Sequence, residues 1–145
     1  MKLPEYITAA EVRRVCKELG FRDWSKITKP TVSKSEASKI LKIVNTKKMK
    51  VPLEDFMQGL EVELEHGTMY EEANVTNNHP ILTGKIVIAH LNETMDYYKR
   101  LDVAEIEGDL LKAVISKNIK KIEAKYIKLI KAQQALNKAV SDQLK

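Results

Sequence analysis

Gly59-Leu-Glu-Val-Glu-Leu-Glu-His-Gly-Thr68 and Ala89-His-Leu-Asn-Glu-Thr-Met-Asp-Tyr-Tyr-Lys-Arg-Leu101 decide how this chain is read. Running into the first stretch, Phe56, Leu60 and Leu64 recur every four residues with Met57 beside them. That spacing lines one face of a helix. Pro52 suits its first turn, where a missing N–H removes no bond. Glu54 and Asp55 follow where the helix dipole favours negative charge. The helix is expected to end at His66-Gly67. Pro80 opens a further helix carrying Leu82, Ile86, Ala89 and Leu91, after a loop with the turn-prone pair Asn77-Asn78. Thr94 to Leu101 either continues that helix or restarts after a break. An antiparallel helix pair therefore stands at the centre of an all-α fold.

The pair carries chemistry. Glu63 and His66 are three apart, as are His90 and Glu93 in the reverse order, so each couple shares a helix face. Packed together, two imidazoles and two carboxylates resemble a first shell for a divalent metal such as Zn, Mn or Fe. Glu-x-x-His pairs are also the unit of di-iron carboxylate bundles, which need two further glutamates. Glu61, Glu65 and Glu105 are available, but nothing in the spacing aims them inward. The competing reading is a buried His–Glu network with no metal. His66 in a last helical turn also suits the dipole. No Ser/His/Asp set and no Gly-rich phosphate cradle is visible. Thr83-Gly84-Lys85 lacks the first glycine of a P-loop and the strand before it, so Gly84 is read as a close-approach point for another helix.

Upstream, Thr8-Ala-Ala-Glu11 reads as a capping box, opening a helix to Leu19 with Val12, Val15, Cys16 and Leu19 on one face and Gly20 as its stop. Cys16, the one cysteine, is read as a small core residue. It excludes an intramolecular disulfide and a cysteine zinc site. Phe21 and Trp24 are expected to fold back onto the core. Residues 29–50 read as an inserted basic segment, a solvated loop by default. Within it Ser35 to Val44 suits a short helix with Ala37, Ile40, Leu41 and Val44 on one side.

Downstream, Asp109 to Gln143 holds no Gly or Pro and reads as one long, basic, coiled-coil-like helix. Ile115, Ile119, Ile122, Tyr126, Leu129, Leu136 and Val140 step by four and three along an association seam, interrupted at Gln133. A second strip of Leu111, Val114, Ile127 and Ile130 widens the apolar face. The division expected is a compact helical domain over 1–108 and the long helix over 109–145.

At 145 residues with 43% hydrophobic content, the chain has enough apolar material for a core. Its net charge of +5 is unevenly spread. Residues 21–50 carry nine basic and two acidic groups, residues 51–108 three and twelve, and residues 109–145 nine and three. Basic segments thus flank an acidic middle, which offers either internal complementarity or a surface for nucleic acid. No run approaches the ~18 apolar residues of a membrane span, and the opening Met-Lys-Leu-Pro lacks a signal-peptide core.

The motifs Val62-Glu-Leu-Glu-His-Gly67, Asn74-Val-Thr-Asn77, Pro80-Ile-Leu-Thr-Gly-Lys85, Ala89-His-Leu-Asn-Glu93 and Asp96-Tyr-Tyr-Lys-Arg-Leu101 occur in order. With Pro4-Glu-Tyr-Ile-Thr8 and Cys16-Lys-Glu-Leu-Gly20 they resemble a small protein family, catalogued as a domain of unknown function and common in tailed phages and bacterial genomes. The resemblance covers about residues 4–27 and 51–103. It implies a phage or prophage setting, with the Glu/His helix pair as shared core and residues 29–50 and the helix after 108 as basic additions. It brings no activity.

Three functions remain open at this level. The first is a non-enzymatic phage-type structural or interaction protein, virion- or assembly-associated. It would bind a protein partner or itself through the C-terminal helix and be located in the virion or host cytoplasm. The second is a metal-dependent enzyme using Glu63, His66, His90 and Glu93. The third is a nucleic-acid-binding accessory using the lysines of 26–50 and 112–131.

Overall fold

The structure, a computed structural model, describes residues 6–144. Among these the regular elements are helices: α1 (Ala9–Leu19), α2 (Lys34–Val44), α3 (Leu53–Met69), α4 (Pro80–Glu93), α5 (Tyr97–Ile115) and α6 (Ile119–Gln143), with short 3-10 turns at Trp24–Lys26 and Glu71–Ala73. The expected start Pro4-Glu5 lies outside the described residues. The chain divides into two compact units, Met1–Glu93 and Thr94–Lys145.

The helix ends of the first unit follow local chemistry. The Thr8 hydroxyl accepts the Glu11 amide at 3.2 Å, and Gly20 adopts φ 67° to close α1. The reciprocal half of the box is absent because both Glu11 oxygens pair with Arg14 at 2.8 Å. A complete box stands instead at α2. There Ser33 caps the Glu36 amide, and the Glu36 carboxylate accepts the Ser33 amide at 2.9 Å.

Packing joins α2, α3 and α4 to one another and α1 to α4. Val12, Trp24, Ala37, Ile40, Phe56, Leu60, Leu64, Val87 and Leu91 are buried there. Burying a side chain of Leu, Ile or Phe size stabilises by about 1.5–3 kcal/mol. Phe21 stacks on Trp24 with ring centroids 6.2 Å apart. The expectation of a solvated loop over 29–50 is corrected here. Its middle is α2, and Ala37, Ile40 and Val44 form part of the core. Gly84 makes room for them: a Cβ there would lie 2.4 Å from Ile40 Cγ2.

The second unit is a helical hairpin. The single helix expected from Asp109 onward is also corrected: α5 begins at Tyr97, and the chain turns at Ser116–Asn118. Lys117 takes φ 53°, and the Asn118 amide bonds back to Ala113 O at 3.1 Å, ending α5 with a left-handed residue. The Asn118 side chain then accepts the Lys121 amide at 3.0 Å and starts α6. The long C-terminal α6 packs on α5, with Ala113, Leu129 and Ala132 buried. No helix among the described residues is long and apolar enough to cross a membrane.

Candidate functional site

The four sequence-selected residues come together in the first unit. Glu63 and His66 lie on α3, and His90 and Glu93 on α4. Glu63 is the hub. One of its oxygens lies 3.8 Å from His66 Nδ1 and the other 3.6 Å from His90 Nε2. His90 Nδ1 lies 4.0 Å from Glu93 Oε2. Burial grades outward from the hub: the Glu63 side chain is 11% exposed and His90 29%, against 61% for His66 and 68% for Glu93. The inner couple is thus a shielded carboxylate–imidazole contact, and the outer two residues face solvent. His66 Nδ1 also lies 3.3 Å from the Glu63 carbonyl, the last-turn contact its position favours.

The further glutamates do not join them. Glu61 accepts the Val32 amide at 2.9 Å, tying the entry of α2 to α3. Glu105 belongs to α5 in the other unit. Among the described residues no group of three or more His, Cys, Asp or Glu side chains is arranged to hold a metal ion. Beside Glu63 and His66 opens a cavity of about 230 Å³, lined also by Asn74, Thr76, Thr83 and Ile86.

The end of α3 explains the cavity's shape. The helix does not stop at Gly67 but runs to Met69. Gly67 serves a close approach instead, since a Cβ would fall 1.8 Å from Asn78 Oδ1. Asn77 and Asn78 both take left-handed φ values, 48° and 59°. The Asn78 amide donates to Asn74 Oδ1 at 3.2 Å, which folds the loop onto the helix end.

The third histidine has a separate role. His79 is buried, and its Nδ1 accepts the amides of Ile81 and Leu82 at 3.2 and 3.3 Å, capping α4. Burial, outweighing the nearby Glu11 charge, holds its pKa below the ordinary 6.5, so it caps as the neutral ring. The His-Pro order was the only signal for it. Burial also pushes the Cys16 thiol up, consistent with a core residue.

The seam residues separate by environment. Leu129 is buried, and Ile122, Leu136 and Val140 are half-buried. Ile119 and Tyr126 are exposed, as is Ile115, which lies on α5 across the turn. Of the second strip, Leu111, Val114, Ile127 and Ile130 are all exposed.

The chain belongs to the family described as "protein of unknown function (DUF5661)", whose model matches residues 12–107. The match takes in α2, the Glu/His helix pair and the first part of α5, while α6 lies beyond it. No curated protein and no solved structure matches the chain.

Proposed function

We propose that this chain is a non-enzymatic structural or interaction protein of phage type, associating through its C-terminal hairpin with a second copy of itself. One observation carries the reading. Leu111, Val114 and Ile115 of α5 and Ile119, Tyr126, Ile127 and Ile130 of α6 are large apolar side chains left exposed. On each helix they recur at steps of three, four or seven, so each set forms one face. Nearest the turn, Ile115 is 72% and Ile119 65% exposed. Together the two faces present on the order of 700 Å² of surface, close to the ~800 Å² that each partner covers in a standard interface. Large apolar side chains clustered on an exposed helix face mark interaction surfaces. A self-complementary patch is what a two-fold homodimer needs.

The Glu/His cluster is structural in this reading. Its carboxylate hub joins α3 to α4, and it sits in the family-matched part of the chain, whereas α6 does not. The virion or assembly setting rests on the resemblance of the motifs alone. The direct test is the solution mass of the full chain against that of an Ile119→Glu/Ile127→Glu variant, with far-UV circular dichroism to verify that helix content is kept.

A further inference from the structure

A cleft of about 490 Å³ lies between α5 and α6, lined by Asp109, Lys112, Ala113 and Ser116 on one side and Lys121, Ala124, Lys125 and Lys128 on the other. None of the exposed apolar residues named above lines it. We infer that this lysine cleft binds the phosphate backbone of a nucleic-acid duplex, independently of base sequence.

Four lysines meet one carboxylate there. Asp109 contacts Lys125 and lies 3.5 Å from Lys112, so it partly neutralises two of them. Lys121 and Lys128 line the same cleft. Like charges this close repel one another unless an anion enters. The helix adds to the attraction. The first turn of α6 holds Lys120 and Lys121 and no acidic residue, although the dipole there favours negative charge. A phosphate at this end would face the positive end of the helix dipole and the lysines together.

The geometry selects among polyanions. Lys121 to Lys128 span about 10 Å at the helical rise, or about three steps of one strand at 3.4 Å each. No aromatic side chain lines the cleft, so it offers no platform on which unpaired bases could stack. Its apolar floor is Ala113 and Ala124, too small to insert into a lipid surface. In the first unit several lysines are engaged singly: Lys34 lies 3.4 Å from Glu54, Lys39 donates to the Leu19 carbonyl, and Lys47 to Asn92.

Fluorescence anisotropy of a labelled DNA duplex and its RNA counterpart, titrated with the full chain across a salt series, tests the inference. Binding should weaken steeply with salt. A Lys121→Gln/Lys125→Gln/Lys128→Gln variant should bind about ten-fold or more weakly and lose about 2.5 from the log–log salt slope. Asp109→Asn should bind more tightly than the parent, because it frees Lys112 and Lys125 and removes a repelling carboxylate. A loss of fold would not produce that gain. Lys39→Gln/Lys47→Gln should leave binding unchanged. The inference is overturned if neither duplex binds at low salt, or if the triple variant keeps the parent affinity and slope. It is equally overturned if Asp109→Asn weakens binding, or if only vesicles containing anionic lipid bind.

Discussion

Gly84→Ala is a test whose sign separates two accounts of the first unit. In an exposed helix interior, replacing glycine by alanine stabilises by about 1 kcal/mol through backbone entropy. Gly84 is instead buried in α4, and a Cβ would fall 2.4 Å from Ile40 Cγ2, 3.3 Å from Val44 Cγ1 and 3.5 Å from Phe56 Cζ. The nearest atom is a methyl on a β-branched side chain, which has little rotamer freedom in a helix. Overpacking of this kind costs about 1–3 kcal/mol, so the net effect is destabilisation by up to about 2 kcal/mol after the propensity gain. Urea unfolding followed by circular dichroism should show a lower midpoint with an unchanged slope. Ile40→Leu removes the branching methyl at nearly constant volume, so Gly84→Ala/Ile40→Leu should recover much of the loss. A Gly84→Ala protein more stable than the parent would refute the close α2–α4 packing.

Other parts of the account make separate demands. His79 is held below its ordinary pKa by burial, so at low pH the unfolded chain takes up the proton first. Stability should be full above about pH 6.5 and fall as pH drops below it. His79→Asn, a good cap without a titrating ring, should flatten that dependence between pH 5 and 7. Burial alone would raise the Glu36 pKa, but the Trp24 indole N–H, the Ser33 amide and Arg22 together hold it below the usual carboxylate range. Glu36→Ala should cost about 2–3 kcal/mol in urea unfolding, since it leaves a buried indole N–H and a cap amide without their charged acceptor. Glu63→Gln should move the ring C–H resonances of both His66 and His90 in NMR spectra at fixed pH and leave those of His79 in place. Metal analysis after incubation with zinc, manganese or iron should find no stoichiometric uptake. Uptake abolished by His66→Ala or His90→Ala would contradict the structural reading of the cluster.

Much of the first unit could be read from local chemistry. Thr8, Gly20, Pro52 and Pro80 mark helix ends by mechanisms that act within a turn. The i,i+3 spacing of the Glu/His couples placed each on one face, and the packing of α3 with α4 then brought Glu63 to His90. Other features depended on tertiary context. The spacing of Ala37, Ile40, Leu41 and Val44 showed the short helix within 29–50, but the lysine-rich composition around it hid its place in the core, because that burial depends on α3 and α4. Gly67 looked like a helix stop, yet its lack of a side chain serves Asn78, eleven residues on in the chain. The break at Lys117 was the least legible. Lysine seldom adopts positive φ, and Asn118 alone hinted at a new cap. That break turns one long seam into a hairpin, which buries Leu129, exposes Ile115 and Ile119, and opens the lysine cleft.

Association through the hairpin is the claim on which the functional reading stands, and sedimentation equilibrium over a range of micromolar concentrations measures it most directly. The account predicts that the full chain sediments at twice the chain mass and that Ile119→Glu/Ile127→Glu sediments as a single chain with its helix content intact. A parent protein that stays at the single-chain mass throughout, or a double variant that dimerises as the parent does, would contradict it.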